Sequence, residues 1–105
     1  MKTVPHFTAL LTFVPAETGG LSTPASSGYR PAIKFPFAKS PVTGIQKFIG
    51  TDLVFPGDTV TAEITLTDPA SFAGKIYEGL DFEFFEADRL VGYGIITGLN
   101  GPAFL

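Results

Sequence analysis

Six short antiparallel strands closing into a single all-β barrel are expected of this chain on three grounds. First, 12 Gly and 9 Pro are scattered along 105 residues, which suits many turns and no long helix. Second, several segments alternate apolar and polar residues with the period of two that a strand requires. Third, 11 Phe and no Trp offer interior bulk without a buried polar handle, as a small filled barrel needs.

The elements follow in order. In residues 7–14, Phe7, Ala9, Leu11 and Phe13 form one apolar face and Thr8, Leu10, Thr12 and Val14 a mixed one, a strand that Pro15 ends. Residues 17–29, rich in Gly, Ser, Thr and Pro, read as a loop. Ile33, Phe35 and Phe37 alternate with Ala32, Lys34 and Pro36 in a second strand, where Pro36 marks an edge or a bulge. Residues 40–44 read as a turn and residues 45–49 as a short third strand. Phe55-Pro56-Gly57-Asp58 carries the signature of a type II turn, with Pro presetting φ and Gly accepting a positive φ after it. The clearest strand is 59–67, with Val60, Ala62, Ile64 and Leu66 inward and threonines and Glu63 outward. Residues 70–79 connect it, with a short helical turn, to strands at 81–85 and 90–99 joined by a tight hairpin at 86–89. Gly92 and Gly94 inside the last strand signal a bend, a bulge or a close backbone approach. No internal boundary is visible, so residues 1–105 are expected to form one domain.

Composition narrows the chemistry. There is no Cys, which excludes disulfide scaffolds, thiolate metal sites and a cysteine nucleophile. A single His, His6, excludes a site with two imidazoles and is expected to be exposed or partly packed, without a role. No phosphate-binding loop and no GxSxG element occurs in the sequence. Asp81 and Glu83 share one strand face and Glu86 and Asp88 flank the hairpin, and both pairs are expected to be solvated carboxylates rather than an acid–base pair. No enzyme activity, cofactor or metal is expected. No apolar run reaches the ~20 residues of a membrane helix, and residues 9–14 are too short for a secretory core, so no membrane association and a cytoplasmic location are expected. Charge is uneven: residues 1–50 carry five cations and one carboxylate, residues 51–105 two cations and nine carboxylates.

Four segments together resemble one family. Residues 7–14 followed by Glu17-Thr18-Gly19-Gly20, Thr23-Pro24 and Gly28-Tyr29-Arg30-Pro31 are similar to the GGRxTP…GYRPQF pattern in the C-terminal domain, domain 3, of elongation factor Tu. Pro56-Gly57-Asp58 with its alternating strand resembles that domain's PGD strand, and residues 79–94 resemble its GLRFAIREGGRTVGAG stretch. The motifs stand in order over nearly the whole chain. The resemblance implies a six-stranded antiparallel barrel that binds rather than catalyses, because the family hydrolyses GTP in a different domain. Family domain 3 helps hold the T-stem of aminoacyl-tRNA, packs on the GTPase domain and meets the exchange factor. Carried over position by position, the resemblance implies RNA contacts at Arg30, Glu86 and Arg89, with Thr43 of Thr43-Gly44 as a looser match.

The departures redirect the expectation. Leu21 replaces the Arg of GGR, Ala32 replaces the Gln after GYRP, and EGGR has become Glu86-Ala87-Asp88-Arg89. Asp81, Glu83 and Phe85 stand where the family pattern has Arg, Ala and Arg. Lost cations and gained carboxylates disfavour a phosphate-lined partner. The expected function is therefore non-enzymatic binding of a protein partner, with Tyr29, Asp81, Glu83 and Phe85 as the candidate contacts. A residual tRNA- or RNA-binding module, using Arg30, Lys34, Lys39 and Lys47, is the alternative. A look-alike domain that neutralises a toxin is a version of the first reading. A small-molecule site would require a cavity among the phenylalanines, and a homodimer would require an apolar patch from Phe85, Leu90 or Phe104-Leu105.

Overall fold

A computed structural model describes residues 5–72 and 74–100. It contains strands β1 (Phe7–Phe13), β2 (Ala25–Ser26), β3 (Ala32–Lys34), β4 (Val42–Phe48), β5 (Leu53–Val54), β6 (Thr59–Leu66), β7 (Asp81–Glu86) and β8 (Arg89–Leu99). Six of them form a closed antiparallel barrel in the order β1-β6-β4-β3-β7-β8, and β2 and β5 pair as a separate two-stranded ribbon. Closure comes from β1, which pairs β6 on one side and β8 on the other. No barrel strand is left with a free edge, so every ladder has both partners. The regular helical content of the described residues is two short 3-10 turns, Ala16–Thr18 and Pro69–Phe72. No helix among the described residues is long and apolar enough to cross a membrane.

The alternation in the sequence is what places the core. Along β1, Phe7, Ala9, Leu11 and Phe13 are buried, and along β6 the same holds for Val60, Ala62, Ile64 and Leu66. Phenylalanine rings run through the interior in an unbroken series of mostly edge-on contacts. Phe48 meets Phe13, Phe13 meets Phe84, Phe84 meets Phe82, and Phe82 meets both Phe7 and Phe35, with centroids 5.2–6.5 Å apart. Each buried ring contributes about 1.5–3 kcal/mol by leaving water, and edge-on pairing adds roughly 0.5–1.5 kcal/mol.

The glycines of the last strand mark close approach. Gly94 lies opposite Phe82 and Gly92 opposite Phe84. A Cβ on Gly94 would sit 2.2 Å from Cζ of Phe82, and one on Gly92 would sit 2.4 Å from Cζ of Phe84. Each ring therefore fills the interior volume that β8 leaves open. A bulge is also present, where the β7–β8 register shifts between Phe84 and Phe85.

Turn chemistry matches expectation at residues 55–58. Gly57 has φ 92°, and the Asp58 amide donates to the Phe55 carbonyl at 3.0 Å. Three expectations need correction. The strand expected over residues 32–37 ends at Lys34, because Pro36 enters a turn in which the Ala38 amide donates to the Phe35 carbonyl at 3.1 Å. Residues 42–44 belong to β4 rather than to a turn, since Thr43 pairs with Ala32 and Gly44 with Leu66. The loop at 17–29 contains β2, which pairs Ala25 and Ser26 with Val54 and Leu53. Phe104 and Leu105, named above for an apolar patch, lie outside the described residues.

Candidate functional site

The hairpin between β7 and β8 gathers segments that are far apart in the chain. Tyr29 Oη donates to Glu86 Oε1 at 2.9 Å. Arg89 Nη1 donates to the Gly20 carbonyl at 3.0 Å. Residues 19–20, 28–30 and 86–89 thus meet at one end of the barrel. Burial first, and then the hydrogen bond to Glu86 and its charge, push the Tyr29 phenol well above its ordinary range. The Tyr29 backbone also docks on β4, taking a hydrogen bond from the Gln46 amide at 2.8 Å. Tyr29 is a half-buried tie between loop and hairpin, and two shallow grooves flank it. One, of about 610 Å³, runs between residues 21–23 and the hairpin, and the other, of about 340 Å³, runs along residues 23–29.

Arg30 is exposed beside this tie. Thr43, Ala32 and Phe85 form one outward row across β4, β3 and β7, so Thr43 lies two strands away from the hairpin strand. The Thr43 carbonyl accepts from both the amide and the hydroxyl of Thr67. Of the four residues expected at an RNA surface, Glu86 and Arg89 are thus engaged with the protein's own groups and Arg30 faces solvent.

Asp81 and Glu83 project outward farther along β7. Asp81 lies opposite Ile95 and Glu83 opposite Tyr93. Beyond β8, Ile95 lies opposite Leu10 of β1. These three apolar residues are open to solvent on the outer face: Tyr93 is 48%, Ile95 46% and Leu10 41% exposed. A groove of about 560 Å³ crosses this face between Lys34, Pro36, Asp81, Glu83, Tyr93 and Ile95. Its floor is the Phe82–Gly94 pair, whose bulk is directed inward, so only backbone fills the outer surface between the flanking side chains.

Two carboxylates and one ammonium line this groove. Lys34 pairs with Glu83 in the strand register. Its ammonium instead donates to the Phe35 carbonyl at 3.1 Å and to the Ala38 carbonyl. Neither the Asp81 nor the Glu83 carboxylate has a hydrogen-bond or ion-pair partner among the described residues. Both carboxylates therefore stand without a direct ion pair beside exposed apolar side chains.

Sequence reasoning places Asp81, Glu83 and Phe85 outward, but it misses Tyr93, Ile95 and Leu10. It also misses Gln46, which is fully buried on the inward face of β4 with neither Oε1 nor Nε2 hydrogen-bonded to any described residue. A comparison with known protein-family models finds no match to this chain.

Proposed function

We propose that this chain is a non-enzymatic protein-binding domain of the elongation factor Tu domain 3 type, which engages its partner through the outer face of β7, β8 and β1. The observation that carries the reading is the apolar trio Leu10, Tyr93 and Ile95, exposed side by side and bordered by Asp81 and Glu83. Adjacent exposed apolar groups rimmed by polar ones are the usual mark of a protein contact. The family assignment draws support from the meeting of its motif segments: residues 19–20, 28–30 and 86–89 adjoin through Tyr29–Glu86 and Arg89–Gly20. A binding role, in place of catalysis, is supported by the interior, where phenylalanine rings occupy the space that a reactant would need. A cytosolic place of action accords with a cysteine-free chain.

The test compares affinity capture from a cytosolic extract by the wild-type chain, by Ile95→Asp and by Thr65→Asp, which alters an outward position on β6. The expected result is a protein retained by the wild type and Thr65→Asp and lost from Ile95→Asp. Equal retention by all three moves the contact off this face. Filter binding with tRNA runs alongside. Affinity for tRNA that falls steeply with salt would replace the protein-binding reading with the RNA one.

A further inference from the structure

The groove on the outer face of β7 and β8 has a definite chemistry. Two carboxylates on the same face of one strand are separated by roughly 7 Å of backbone rise. One guanidinium, with donors on two sides, spans such a gap, and an ammonium sits between the pair. The lysine that the register sets opposite Glu83 lines the same groove but has turned its ammonium to the carbonyls of Phe35 and Ala38, so no cation of the described residues forms an ion pair with either carboxylate. Tyr93 presents a half-exposed ring beside Glu83, a surface suited to the flat side of a guanidinium. Ile95 and Leu10 continue the same face with aliphatic surface.

We propose that this groove docks a cationic segment of a partner protein, with an arginine or lysine head between Asp81 and Glu83 and an aliphatic neighbour on Ile95 and Leu10. The proposal rests on the reading of this face as a docking surface and adds the charge and composition of what docks there. Charge complementarity selects the occupant: an acidic or neutral segment would leave both carboxylates without a partner, and a nucleic-acid backbone would meet them with like charge. The uneven charge of the chain acts in the same direction at longer range, since residues 51–105 carry nine carboxylates against two cations.

The experiment is an amide NMR titration of the full chain with three acetylated, amidated hexapeptides. Leucine alternates with arginine in the first, with glutamine in the second and with glutamate in the third. The expected result is a saturable shift at Asp81, Glu83, Tyr93 and Ile95 with the arginine peptide, weakened by added salt, and little or none with the other two. In the double variant Asp81→Asn, Glu83→Gln the affinity for the arginine peptide falls roughly tenfold. Both positions are exposed, and unchanged resonances elsewhere show that the barrel is intact. If the glutamine peptide shifts the same residues equally well, the cationic occupant is overturned while the docking face stands. If no peptide moves these resonances, both are overturned. If the groove resonances broaden with the chain's own concentration and the arginine peptide does not reverse this, the occupant is a second copy, and the proposal fails.

Discussion

Gln46 occupies a position where the strand pattern calls for an apolar side chain. It is fully buried, and both ends of its amide lack hydrogen-bond partners among the described residues. An unmet buried polar group costs about 1–3 kcal/mol. Gln46→Met, which keeps the length and removes the amide, is expected to raise stability by that amount in equilibrium urea unfolding with an unchanged m-value. His6 works differently. Its Nδ1 accepts the Leu66 amide at 2.9 Å, and burial holds the imidazole below its ordinary pKa of 6.5. The folded state thus favours the neutral ring, whereas the unfolded chain takes up a proton as pH drops through 6.5. Stability from this group is full above that pH and declines below it. A falling thermal midpoint between about pH 7.5 and pH 5 is expected, with a shallower fall in His6→Asn, whose side-chain oxygen accepts a hydrogen bond without titrating.

At the scale of elements, β7 and β8 depend on each other through ring and glycine. Gly94→Ala drives a methyl group into the Phe82 ring, and a cost of about 1–3 kcal/mol is expected. In a Phe82→Leu background the same substitution should cost markedly less, and a double-mutant cycle measures that coupling. The hairpin carries a separate tension. Ala87 has φ 54°, a left-handed conformation that costs a residue with a Cβ roughly 1 kcal/mol. Ala87→Gly is expected to relieve part of it and raise the thermal midpoint by a few degrees. The same glycines explain what the sequence conceals. Val60, Ala62, Ile64 and Leu66 advertise the core face of β6, because their inward slots hold aliphatic residues. In β8 the inward slots at 92 and 94 hold glycine, so the visible apolar residues Tyr93 and Ile95 resemble a core face although they point outward. Pro41 and Gly44 likewise suggest a turn where the chain has already entered β4, because Gly44 is needed for the close fit of Ile33 rather than for a reversal.

On the scale of the whole molecule, the closed barrel and its six strands are legible from alternation and turn residues, whereas the order of the strands around it and the meeting of remote segments are not. Nothing in the spacing of Tyr29 and Glu86, or of Gly20 and Arg89, announces that they touch; the strand order creates those contacts. Such long-range pairing has a kinetic signature. Refolding from denaturant is expected on the scale of milliseconds to seconds, slower than a helical protein of similar size, and stopped-flow tyrosine fluorescence will follow it.

The seam that joins β1 to β8 pairs Phe7 with Leu99 and Phe13 with Gly92. A ribosome making this chain releases β1 before every other strand of the barrel and β8 after them all. The first strand can meet β6 earlier, yet its second neighbour does not exist until β8 itself has emerged. Until then Leu10 and its backbone lie along an open margin that nascent-chain chaperones can cover, and the cylinder can shut only once translation has passed residue 99.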